Sequence, residues 1–337
     1  VPAAPDGRAA RAGRLVQRVR CSRPGRVAER LPWRRLLCLL PLLLVAFVAV
    51  RQRSVLAEGV GLLRTASWPW LLVAAGATGL TWVAAAVTRQ GAVRERLPRR
   101  RLLATQFAAS SANHLLPTEL GAGAVNLRFM AVCGVPAVRG SAALALYLLA
   151  ESVGRVALLG VLLLVFPDAL RVGPLLPSGA AGPLLWTVAG VLATAVAVPA
   201  LVRRLRAPLV RFARAALGEA RSVHTRPARA LGLWGGSFAF PALQAVGLMA
   251  VGHALSLPVP ATHVALAYLA ATVAVALVPM PGGVGSVEAA LIVALVAAGA
   301  PAPVATAVVL AYRLITVWLP LIPGAVTLGV LVRLKVI

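Results

Sequence analysis

Acidic side chains are nearly missing from this sequence. Nine Asp and Glu face 34 Lys and Arg in 337 residues, and charged residues of both signs make up only 13% of the chain. A soluble domain carries about twice that share, so there is too little charge here to clothe a water-exposed surface. Cysteine is equally sparse. Cys21 sits in a basic tail and Cys38 in an apolar run, and with Cys133 they form no metal-ligand spacing, so neither a disulfide scaffold nor a metal site is implied. Gly-x-Ser-x-Gly, Walker and dinucleotide-binding motifs are all missing, and with them the usual marks of a hydrolase, an ATPase or a nicotinamide enzyme. No cofactor, no metal and no catalytic residue is expected. Lysine is almost absent too: 33 of the 34 basic residues are Arg. They stand in blocks between apolar runs without interleaved aromatics, which argues against nucleic acid as a partner.

What the sequence has instead is apolar length. Hydrophobic residues make up 60% of the chain and the mean hydropathy is +0.88. A helix needs about 20 predominantly apolar residues to cross a bilayer. Segments 36–50, 68–88, 140–166, 183–202, 230–255 and 306–332 meet or approach that length. The first is short, but residues 31–35 extend it by snorkelling. Two further regions are apolar but interrupted. Segments 102–116 and 119–134 flank Pro117 and Thr118, and segments 262–278 and 286–300 flank a run from Pro279 to Gly283. These read as re-entrant helical hairpins. The predicted fold is therefore an all-α polytopic membrane protein with six full transmembrane helices and two re-entrant hairpins. A basic tail, 1–35, precedes a transmembrane domain over 36–332.

The charge distribution gives this layout a direction. One side receives segments 1–35, 89–101, 203–229 and 333–337, with 26 Lys and Arg, while segments 51–67, 167–182 and 256–261 on the other side hold 4. The positive-inside rule then places both termini in the cytoplasm, in a cytoplasmic and bacterial membrane. The tail has no apolar core and does not read as a signal peptide.

The two broken regions resemble each other. Gly134, Pro136 and Tyr147 recur at the same spacing as Gly299, Pro301 and Tyr312. Each half, 36–166 and 183–332, reads span, span, hairpin, span. Three full spans per half make the second copy inverted, the plan of many secondary transporters, whose sites lie where broken helices meet near the midplane.

Charges within apolar segments are the candidate functional groups, because one at a helix centre costs at least about 2.5–3.5 kcal/mol. They are Glu119, Arg128, Glu151, Arg155, Glu288 and Arg313. Glu151 and Arg155 are four apart on one helix face, in the order that favours pairing, and can form a structural salt bridge or serve a ligand. Glu119 and Glu288 each follow a proline-containing break, where a carboxylate complements a helix N-terminus. The same N-termini can also attract phosphate, and Gly282, Gly283 and Gly285 let the backbone come close to it. Arg313 lies about 10 Å into the last span at 1.5 Å per residue, too deep to snorkel easily, which points to function. His114 and Asn113 are expected to hydrogen-bond within the first hairpin rather than to act as catalysts.

The run from Val278 to Glu288 (Val-Pro-Met-Pro-Gly-Gly-Val-Gly-Ser-Val-Glu), with Gly299 and then Tyr312 and Arg313, resembles the signature of the lysylphosphatidylglycerol synthase transmembrane-region family of flippase-like proteins. The run from Asn113 to Gly121 (Asn-His-Leu-Leu-Pro-Thr-Glu-Leu-Gly) is similar to that family's other motif. Together these bring Asn113 and Tyr312 into the candidate site. The Glu-Arg-x-x-Asp of many members is replaced here by Glu151-Ser-Val-Gly-Arg155. The chain stops at Ile337, so the soluble aminoacyl-transfer domain of bifunctional members is not expected.

The resemblance implies a protein that binds or translocates an anionic or modified lipid, aminoacylated or glycosylated, across the membrane. Helix N-termini near 120–123 and 282–286, with Arg313, would hold its phosphate. Glu119, Glu151 and Glu288 would balance the arginines or receive a cationic head-group. Two other classes stand beside it: a membrane-embedded transferase acting on a lipid-linked substrate, and a non-transporting partner of a lipid synthase or glycosyltransferase.

Overall fold

The computed structural model describes residue 64 and residues 66–115, 121–166, 203–277 and 286–333. Every regular element among them is helical. In chain order they are α1 (Trp68–Ala92), α2 (Arg99–Leu115), α3 (Gly121–Val132), α4 (Ala137–Val165), α5 (Arg203–His224), α6 (Pro227–Ala254), α7 (Ala261–Leu277), α8 (Ser286–Ala297) and α9 (Ala302–Arg313). A π-helical segment (Leu314–Trp318) and α10 (Leu319–Arg333) then continue α9. The predicted spans 36–50 and 183–202 and the tail 1–35 lie outside the described residues.

Proline starts these helices where its missing N–H costs nothing. It lies in the first turn of α1, α6 and α9 and at the N-cap of α4, the positions its fixed φ favours. Four helices are long and apolar enough to cross a membrane: α1, α4, α6 and the composite Ala302–Arg333. They correspond to four of the six predicted spans. The interrupted regions yield shorter helices. α2 and α7 have 17 residues each, and α3 and α8 have 12. At 1.5 Å per residue these reach about 25 and 18 Å, short of the roughly 30 Å hydrocarbon core. α2 packs on α3, and α7 on α8.

The two Gly-x-Pro corners have the same backbone. Gly134 and Gly299 both take positive φ (83° and 102°), the left-handed C-terminal turn that glycine enters without a Cβ penalty. Val135 and Ala300 each donate to the carbonyl five residues back, at 3.0 Å in both cases. Pro136 and Pro301 then cap the next helix, and the tyrosines thirteen residues after each glycine, Tyr147 and Tyr312, are both buried.

α1 and α6 form the central pair. Gly236 of α6 lies against the α1 backbone at Ala84 and against Thr88, so closely that a Cβ would overlap them. Small residues allow this approach, which is the usual basis of helix association inside lipid. Two apolar clusters gather on this pair. One joins Leu71 and Ala74 of α1 to Leu248 and Val251 of α6, Tyr268, Leu291, Leu295, Val309 and Tyr312. The other joins Val93, Leu97, Phe129, Met130, Tyr147, Val223 and Leu233.

The segment 203–229, read from sequence as a cytoplasmic loop, is instead mostly a 22-residue helix, α5. Its Glu219 is buried and bonds Arg94 at 3.3 Å and Arg139 at 3.0 Å, and Arg139 also holds Glu95 at 3.0 Å. The one acid in that basic stretch is thus the point that fixes it to the bundle.

Candidate functional site

Between the two apolar clusters the helices part around a cavity of about 570 Å³. On α1 it begins at Thr78, below Ala74 of the first cluster, and ends at Arg89, above Ala92 and Val93 of the second. On α4 the cavity residues run from Leu144 to Arg155, sharing Tyr147 with the second cluster, and Leu158 beyond them packs against the first. The site therefore lies within the helical bundle, with an apolar cluster packed on either side of it.

Five of the sequence-predicted residues line this space: Asn113, Glu151, Arg155, Tyr312 and Arg313. The ends of the broken regions meet there as well. Asn113 and His114 come from the end of α2, Ala122 and Gly123 from the start of α3, and Val287 and Leu291 from α8. Asn113 Oδ1 accepts a long hydrogen bond from the Ala122 N–H (3.5 Å), the role within the first broken region expected of it. Gly121 lies against the Ala112 carbonyl, where a Cβ would clash. A glycine is therefore required for α3 to start this close to α2.

Glu288 reaches the cavity through Arg313, whose Nε lies 2.7 Å from its Oε1. Arg313 is thus engaged by a carboxylate, the arrangement of a structural pair. Arg155 is different. The i,i+4 pairing with Glu151 expected from sequence does not form: neither residue has an ion-pair partner among the described residues. The Arg155 Nε, like those of Arg89 and Arg313, is buried without a hydrogen-bond partner among them, but Arg155 has no carboxylate beside it as Arg313 does. A guanidinium nitrogen buried without a partner is costly unless something compensates it.

Arg128 is exposed on α3 and does not line the cavity. Glu119, Gly282, Gly283 and Gly285 lie outside the described residues.

Several lining groups escaped the sequence reading. The charge layout assigns Arg89 to the cytoplasmic loop 89–101, but α1 runs on to Ala92. Its guanidinium turns inward, 4.4 Å from the centroid of the Tyr147 ring, and donates to the Ala85 carbonyl at 3.0 Å. Gln106 donates to Asn126 Oδ1 at 3.0 Å, so α2 and α3 share a polar contact beside the site. Gln244 contributes its carbonyl to Tyr312 (3.3 Å), and Tyr312 meets Tyr268 edge to face at 6.1 Å. Uncharged Gln and Thr do not stand out in an apolar sequence. Arg89 could have been found as a cation 21 residues past the start of its span, one helical face from Thr78, Thr81 and Ala85.

The π-helical segment begins immediately after Arg313 and contributes Thr316 and Val317 to the lining. Such segments are rare and often occur at functional sites. No group of three His, Cys, Asp or Glu side chains among the described residues could hold a metal ion.

The family model for the lysylphosphatidylglycerol synthase TM region matches residues 35–324. No curated protein gives a match. The match spans all the described helices up to the first turns of α10, and the apolar helices of the structure are those of a multi-pass membrane protein. On that extent, the chain belongs to the lysylphosphatidylglycerol synthase TM region family, a lipid-related family of membrane proteins.

Proposed function

We propose that the chain binds the phosphate-bearing head-group of an anionic or modified membrane lipid in the central cavity and carries it between leaflets. The observation behind this reading is Arg155: its Nε is buried with no hydrogen-bond partner among the described residues, on a cavity of mixed polar and apolar lining large enough for a head-group. Arg89 supplies a second cation on the same cavity. Phosphate oxygens are strong acceptors for guanidinium donors and would compensate both. Glu151, unpaired among the described residues and one turn from Arg155, is placed to receive a cationic or hydroxyl-bearing part of the head-group. Arg313, matched by Glu288, serves as a fixed wall rather than as the main anion ligand.

Transport would proceed by alternating exposure. Apolar clusters pack on either side of the cavity, so loosening one cluster at a time would give access to one leaflet at a time. The matched Gly-x-Pro corners and the short paired helices on either side of the cavity support two inverted halves, each with a re-entrant hairpin. The basic segments favour a cytoplasmic orientation of the termini.

The test uses the purified protein in vesicles carrying phosphatidylglycerol with a fluorescent head-group, whose loss from the inner leaflet is followed by an impermeant quencher. Arg155→Gln removes a charged hydrogen-bond donor worth about 1.5–3 kcal/mol, so transport should fall roughly 10- to 100-fold. The melting temperature without lipid should not fall, since Arg155 has no protein partner to lose. Unchanged transport, with lipid stabilising the variant as well as the parent, refutes the reading.

A further inference from the structure

The helix α5 bears an exposed surface separate from the cavity. Its two faces differ sharply. Phe212, Ala216, Glu219 and Val223 follow one another at three- and four-residue steps. Val223 is fully buried in the second apolar cluster, and Glu219 is held by Arg94 and Arg139. The other face carries Val210, Ala213, Arg214, Leu217 and Arg221 at the same steps, all exposed; Leu217 is 62% exposed.

The only acid in α5 is thus consumed on the inner face, and the outward face holds cations alternating with apolar side chains. Neither water nor hydrocarbon alone suits such a face. Leucine and valine prefer the acyl boundary, and guanidinium groups prefer the phosphates just above it. α5 also stands at the end of the bundle where Arg94, Arg139 and Arg229 collect around Glu219 and Ser222, the side the charge asymmetry assigns to the cytoplasm.

We infer that α5 is an interfacial helix whose outward face, with Arg214 and Arg221 flanking Leu217, binds anionic phospholipid head-groups of the cytoplasmic leaflet. The inner face stays pinned to the bundle, so the contact clamps α4 and α6 to the membrane surface. It does not depend on whether the cavity transports lipid.

The experiment places an environment-sensitive fluorophore on Leu217→Cys in the full chain, with Cys21, Cys38 and Cys133 replaced by serine, and reconstitutes it in nanodiscs. Phosphatidylglycerol added to phosphatidylcholine should shift the emission to the blue. Each basic side chain near an anionic surface contributes about fivefold in affinity, so Arg214→Gln with Arg221→Gln should weaken the phosphatidylglycerol preference about 25-fold. Arg214→Lys with Arg221→Lys should retain most of it. If the neutral variant does not fold, high salt provides the second arm, because screening should return the parent's emission toward its value in phosphatidylcholine. Emission that is the same in both lipids, or insensitive to salt and to charge removal, overturns the inference. So does shielding that appears only when a soluble protein is added.

Discussion

The ion pair between Arg313 and Glu288 invites a double-variant test. Its atoms are 2.7 Å apart, and the side chains are 17% and 24% exposed. At that separation the gross attraction is about 6 kcal/mol with an effective dielectric of 20, and most of it is offset by the desolvation of both ions. What does not cancel is the penalty for removing one partner, about 3–5 kcal/mol in a fully buried pair. The residual exposure through the cavity puts Arg313→Met near the low end, about 3 kcal/mol, and Glu288→Leu in the same range. Melting temperatures in detergent should fall by on the order of 5 °C for each single variant. The double variant should recover most of the loss, because replacing both charges with apolar groups of similar volume is often neutral or stabilising. Thermal unfolding of the four proteins side by side, followed by intrinsic fluorescence, gives the coupling energy. Additive losses in the double variant would show that the two charges do not stabilise each other. Single variants as stable as the parent would refute the placement of the pair altogether.

Three further outcomes follow from other contacts. Gly236→Ala pushes a methyl into Thr88 and the α1 backbone; it should cost about 1–3 kcal/mol, read as a lower melting temperature, while alanine at Gly235, which has open space around it, should leave it unchanged. Glu219→Gln removes the acceptor shared by Arg94 and Arg139 and should cost about 1.5–3 kcal/mol, with faster proteolysis between α5 and α6 as the second readout. Single cysteines replacing Arg96 and Arg214 should resist an impermeant thiol reagent on intact cells while one at Ser256 reacts; labelling of the first two would reverse the topology.

The membrane class, the long spans and the family were legible in the sequence because each depends on local properties. Hydropathy over about 20 residues, the position of proline and the spacing of glycine are set by the chain's own covalent pattern, and the corners at Gly134 and Gly299 adopt the turn that this pattern demands. The charged candidates were legible for the same reason, since a lone charge in an apolar run is conspicuous wherever it points. What it pairs with was not legible. Glu151 and Arg155 have ideal sequence spacing yet form no ion pair among the described residues, whereas Arg313 finds Glu288, twenty-five residues away. Pairing is decided by which helix faces meet, and that depends on small-residue contacts such as Gly236 on Thr88, which leave no pattern in one sequence. Arg89 shows the same limit: its place just past the apolar run assigns it to a cytoplasmic loop, and only the approach of α4, bringing Tyr147 under its guanidinium, puts it on the cavity. The sequence by itself determined which residues could not remain in lipid unmatched. The tertiary structure decided which of them were matched by protein and which, like Arg155, face the cavity with no protein partner among the described residues, because desolvation and charge compensation are properties of packed neighbours rather than of chain order.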